Sequence, residues 1–175
     1  MMDPLIYLII CCGFAGLFLS AGLKKALSYS VFQATVESYQ ILPNKLIATA
    51  SMLLIVVEFT LSGMWIIASL RPMAAIGSSI LLAVYAFAIG VNLKRARSHI
   101  SCGCGWTEQP LSWSLVIRNC IYILLVLATL TPTVARGLNW IDFALGVIAL
   151  TVAVLLNRCA DTLIANNANI ASWRQ

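Results

Sequence analysis

Residues 45–72 read KLIATASMLLIVVEFTLSGMWIIASLRP, and they decide the fold. From Leu46 to Leu70 the run is apolar and holds a single charge, Glu58, about twelve residues in. A helix of about 20 apolar residues crosses a hydrocarbon core of about 30 Å. The run therefore predicts a transmembrane helix whose one carboxylate lies near the bilayer midplane. A carboxyl group at that depth is costly, faces the bundle interior and takes a partner.

The same pattern repeats along the chain. Apolar runs cover Leu5 to Gly22, Met73 to Leu93, Ser114 to Leu130 and Trp140 to Leu156, which predicts five spans in all. Composition agrees: of 175 residues 61% are hydrophobic and 10% charged, against about 25% charged in an ordinary soluble domain. The net charge of +5 does not point to nucleic acid, because the eleven Lys and Arg fall in short gaps between apolar runs. No signal-peptide pattern marks the first run, which is expected as a retained helix. The polar link from Leu23 to Lys45 predicts a short interfacial helix ended by Pro43, with Leu27, Val31, Ala34 and Ile41 on its apolar side. Pro72 suits the first turn of the third span. Residues 1–157 are expected to form one membrane domain, and 158–175 a polar, weakly helical tail at the membrane surface or loosely ordered.

Loop cations set the expected orientation. The first loop carries Lys24, Lys25 and Lys45, the third Lys94, Arg95 and Arg97, and the tail Arg158 and Arg174. Arg71 and Arg136 are alone in the other loops, so one face holds eight cations against two. The N-terminus is then outside, and the third loop faces the cytoplasm.

That third loop, "KRARSHISCGCGWTEQPLSW" from Lys94 to Trp113, contains the best candidate for chemistry. Cys102 and Cys104 are separated by Gly103, which lets the backbone fold tightly. A disulfide needs Cα atoms about 4.4–6.8 Å apart, so a bond across one residue is strained and exchange-competent. Nearby Lys94, Arg95 and Arg97 favour thiolate. A metal reading with His99, the sole histidine, supplies three ligands where structural zinc wants four. Two small residues in a turn is the plain alternative. Cys11, Cys12 and Cys120 lie inside apolar runs and Cys159 at the end of one, where packing is the default. Cys120 is the best placed of them to act as a resolving thiol. Glu58 reads either as a proton-handling or quinone-contacting group or as a buried polar clamp, with Arg118 of the fourth run as its expected partner. Small residues Gly13, Gly16, Ser20 and Ala21 allow close helix packing in the first span. No motif calls for a cofactor or a metal; quinone, through Glu58, is the one cofactor candidate.

Three stretches together resemble the MauE family of methylamine-utilisation proteins and the wider set of small redox-associated DoxX-like membrane proteins. They are "AGLFLSAGLKKALSYSVFQATVESYQILP" (Ala15 to Pro43), "VVEFTLSGMWI" around Glu58, and "CGCGW" followed by "SLVIRNCIYILLVLA" with Arg118–Asn119. The CGC and Arg-Asn pairing is the specific part. Family members often carry phenylalanine after the second cysteine, where this chain has Gly105–Trp106. The resemblance implies an inner-membrane protein with a four-helix bundle similar to DoxX, vitamin K epoxide reductase and DsbB-type proteins. It implies a role in processing, export or maturation of the disulfide-rich β-subunit of methylamine dehydrogenase, beside a MauD-like thioredoxin-fold protein. Two functions follow as expectations: a thiol–disulfide relay through Cys102 and Cys104, or a non-catalytic scaffold for the same client.

Overall fold

A computed structural model of the chain describes residues 2–95, 111–134 and 136–172, with side chains in the last helix described up to Leu163 and at Asn166. All its elements are helical. α1 spans Pro4–Leu27, α2 Tyr29–Ser38, α3 Asn44–Ile66, α4 Arg71–Lys94, α5 Trp113–Ala128 and α6 Trp140–Ser172. Four of these segments are long and apolar enough to cross a membrane: Pro4–Leu27, Asn44–Ile66, Ala68–Lys94 and Trp140–Leu163. α5 is apolar but has only 16 residues, about 24 Å of helix.

The helix ends follow local chemistry. Asp3 caps α1, its Oδ1 accepting from the Leu5 amide at 2.8 Å, and Pro4 occupies the first turn where no amide is needed. α3 stops at Ile66 rather than running to Leu70. The backbone turns extended at Ile67 and a 3₁₀ turn over Ala68–Leu70 leads to Pro72. Arg71 Nε donates to the Trp65 carbonyl at 3.1 Å and satisfies an end group that α3 leaves open. α5 ends at Ala128, two residues before the apolar run does. Thr129 Oγ1 donates to the Val126 carbonyl and Thr131 Oγ1 to the Ala128 carbonyl, closing the last turn. The link after α1 forms the expected short helix, but α2 ends at Ser38, ahead of Pro43. The expected tail also changes: α6 continues as helix through Asn157 to Ser172.

α1 packs on α3, α3 on α4 and α4 on α5, while α6 lies along α1. The core is drawn from the first four of these: Cys11, Phe14 and Phe18 of α1, Leu61 and Trp65 of α3, Ala74, Ala75, Leu81 and Leu82 of α4, and Val126 of α5. Phe14 stacks on Trp65 with ring centroids 5.8 Å apart and meets Tyr122 edge-on at 5.9 Å, arrangements that aromatic quadrupoles favour. Two glycines permit close approach. A Cβ on Gly22 would lie 3.4 Å from Glu58 Cβ, and one on Gly77 would sit 2.8 Å from Leu61 Cδ2. Of the small residues in α1, Gly13 faces Leu150 of α6 while Gly16 faces open space.

The outer surface is apolar. Leu19, Met52, Phe87 and Leu124 are all more than half exposed, an arrangement that acyl chains tolerate and water does not. α6 carries this furthest: among its described side chains only Asp142 and Asp161 are buried.

Candidate functional site

On α1 the buried residues are Cys11, Phe14, Phe18, Gly22 and Lys25, a single stripe at helical spacing. Lys25 therefore points into the bundle, although it lies one turn from the helix end. Its side chain is 3% exposed and forms an ion pair with Glu58 Oε1. Glu58 itself is fully buried at 0%. Tyr85 of α4 completes the cluster: its hydroxyl accepts from Lys25 Nζ at 2.9 Å and donates to Glu58 Oε1 at 2.7 Å. The Lys25 ammonium also lies 4.7 Å from the Tyr85 ring centroid and 5.1 Å from that of Phe32, so α2 covers the site from one side.

This corrects the expected pairing of Glu58 with Arg118. Arg118 instead pairs with Asp161 of α6, and a turn further along each helix Tyr122 donates to Asn157 Oδ1 at 2.8 Å. Asp161 falls in the polar, weakly helical tail, which the sequence places at the membrane surface or loosely ordered rather than against the fourth run. Lys25 reads in the sequence as a loop cation. The signal that finds it is the seven-residue step Cys11, Phe18, Lys25, which sets it on the core face while Lys24 turns away.

A buried cation and carboxylate attract strongly where water is excluded, but each gives up hydration to be there. Tyr85 and the two aromatic faces replace part of that hydration. Replacement is incomplete: among the described residues Glu58 Oε2 has no protein hydrogen-bond partner, and the same is true of Ser51 Oγ, Asn92 Oδ1 and Arg118 Nε. A third charged cluster closes the opposite end of the molecule, where Arg136 reaches both Asp142 at 2.9 Å and Asp3 at 3.6 Å.

Of the thiols, Cys11 is buried in the core, and Cys12, Cys120 and Cys159 are exposed on the apolar surface; all four are free. Cys120, on α5, thus faces outward rather than toward the Glu58 cluster. Cys102, Cys104 and His99 lie outside the described residues. Among the described residues no three His, Cys, Asp or Glu side chains gather as a metal site.

An all-helical chain with four apolar helices of membrane-crossing length and a lysine–glutamate pair sealed among them has the character of a polytopic membrane protein. Its family is specific. The model of "Methylamine utilisation protein MauE" matches residues 3–132, from the cap of α1 to the end of α5, and the chain belongs to that family. Among curated proteins it is 32% identical to the methylamine utilization protein MauE of Paracoccus denitrificans, over 84% of this chain and 81% of that protein. The protein of the same name from Paracoccus versutus is 32% identical over 93% of this chain and 89% of its own length. That from Methylophilus methylotrophus is 32% identical over 82% and 79%. No solved structure matches the chain.

Proposed function

We propose that the chain serves methylamine utilisation as a thiol–disulfide relay in the bacterial inner membrane. Cys102 and Cys104 carry the exchange, with a MauD-like thioredoxin-fold protein as partner and the β-subunit of methylamine dehydrogenase as client. The observation that carries the reading is membership of the MauE family across α1–α5, in a chain whose sequence places Cys102 and Cys104 between α4 and α5. In this reading the polypeptide crosses the membrane five times, and α1, α3, α4 and α5 form a DoxX-type bundle.

The chemistry balances with the disulfide of the thioredoxin-fold partner as the oxidant. A client thiolate attacks one sulfur of a Cys102–Cys104 disulfide and expels the other as thiolate. A second client thiolate then resolves the mixed disulfide, leaving an oxidised client and a reduced CGC pair. The disulfide of the thioredoxin-fold partner reoxidises that pair by the same two steps. A bond closed over one intervening residue is strained, which drives the first attack.

Replacing both cysteines by serine is expected to leave the client's disulfides unformed, read by alkylation and mass spectrometry of the β-subunit. Each single serine variant is expected to accumulate a mixed disulfide with the partner. Normal client maturation in the double variant overturns the relay and leaves the scaffold function. Reaction of Cys102 with a membrane-impermeant thiol reagent in intact cells decides which face the loop occupies. Loop charge assigns it to the cytoplasm, whereas a client that matures outside requires access from the other side.

A further inference from the structure

α3 and α4 meet through two hydrogen-bonded layers of residues seven apart. Trp65 of α3 donates through Nε1 to Ser78 Oγ of α4 at 3.0 Å. Seven residues on, Glu58 meets Tyr85. A seven-residue step keeps two packed helices in phase, so the same step carries Ser51 of α3 and Asn92 of α4 to the register of a third layer. All of Ser51, Glu58, Ser78 and Asn92 are 0% exposed. The first two layers each join a long side chain to its partner by a hydrogen bond. Ser51 and Asn92 are both short, and among the described residues neither Ser51 Oγ nor Asn92 Oδ1 has a protein partner.

The orphaned atoms share a chemistry. Asn92 Nδ2 donates to the Ala88 carbonyl at 3.0 Å, which fixes the amide and leaves Oδ1 as the open acceptor. Glu58 Oε2 is a second open acceptor, since both Lys25 and Tyr85 donate to Oε1. Ser51 is a hydroxyl that forgoes the usual helical bond to the carbonyl four residues back. Thr35, Thr60, Ser79 and Thr151 of this chain all make that bond. Carboxylate side chains on a helix lean toward its N-terminus, which for Glu58 is the direction of Ser51. Two acceptors and a hydroxyl, all sealed from solvent, suit small molecules that both donate and accept hydrogen bonds.

We propose that Ser51, Asn92 and Glu58 Oε2 bind internal water, forming a wet layer between the Lys25–Glu58–Tyr85 cluster and the end of α4. Buried water serves this role in folded proteins by taking two to four hydrogen bonds from groups that otherwise lack them. Asn92 lies two residues from the end of α4, so the layer extends from the Glu58 cluster toward that end of the helix. The site stands apart from the thiol-relay reading and does not need it.

The full-length chain, ¹³C-labelled in lipid bilayers, tests this by polarisation transfer from water protons in magic-angle-spinning NMR. Ser51 and Ser78 are the same residue type and equally buried, but only Ser78 is bonded to protein. Signal at Ser51 Cβ is expected to build up about threefold faster than at Ser78 Cβ, because exchangeable water sits in contact with it. Glu58 Cδ is expected to follow Ser51. Equal, slow build-up at the two serines overturns the proposal. In Asn92→Leu, which fills the layer with an apolar side chain, Ser51 is expected to fall to the Ser78 rate; a Ser51 that stays fast overturns the assignment of Asn92. If that variant does not fold, the comparison of the two serines in the unaltered chain still decides.

Discussion

The bundle of α1, α3, α4 and α5 and the added helix α6 both bury acidic residues against basic ones, but they do so to different ends. In the bundle, Glu58 and Lys25 meet within the packed interior and are flanked by Phe32 and Tyr85. In α6 the two buried residues are aspartates close to the ends of its membrane-crossing length, Asp142 and Asp161, each held by an arginine from outside the helix. The bundle would pack without its charges; α6 has few other buried contacts to hold it. The difference teaches that an ion pair in lipid does two kinds of work. Within a packed core it singles out one arrangement among many that would bury the same apolar area. On a helix that offers lipid and protein equally greasy surfaces, it supplies the attachment, because apolar area gives no preference for protein over lipid.

The contrast can be broken most severely at the core. Lys25→Ala or Glu58→Ala strands a buried charge and is expected to cost about 3–5 kcal/mol. Unfolding in mixed micelles as denaturing detergent is titrated in measures it. The double variant Lys25→Met, Glu58→Leu is expected to recover most of that loss, since no unpaired charge remains. If the double variant is as unstable as the singles, the pair is more than a clamp between α1 and α3.

At α6 the effect is smaller and more local. Asp161→Asn and Arg118→Gln, analysed as a double-mutant cycle, are expected to couple by about 1–3 kcal/mol, between the values for exposed and fully buried pairs. Their side chains are 8% and 16% exposed. The loss is expected to appear as faster proteolysis between α5 and α6 with the bundle intact. Cooperative loss of the whole structure would erase the distinction between the two regions. Smallest is Arg136→Gln at the other end. That side chain is 47% exposed, so a slight destabilisation is expected that fades as salt is raised. A salt-independent effect would place the cluster in lipid rather than at the water interface.

The same contrast explains what the sequence made legible. Apolar runs located every long helix, because length and hydropathy are imposed by the bilayer itself. Glu58 announced itself as a lone charge in a run of twenty-five residues. Its partner did not. Lys25 stands beside Lys24 where the first run ends, and two adjacent lysines read as a flank until helix phase separates them by about 100°. Asp161 was hidden for another reason. The polar stretch after Asn157 reads as only weakly helical, so the sequence does not show that it continues the fifth run as one helix of 33 residues, about 50 Å and well beyond a bilayer core. The family match shows the same boundary, ending at residue 132 before α6 begins.

The burial of Lys25 beside Glu58 has an electrical consequence. A single charge fixed within the bilayer feels about 2.3 kcal/mol for each 100 mV it would traverse. A lysine and a glutamate in contact present that field with a short dipole of no net charge, so the resting potential exerts almost no force on the bundle. A proton added to the pair, or a partner removed from it, converts the dipole into a charge. From then on the energised membrane acts directly on the contact between α1 and α3.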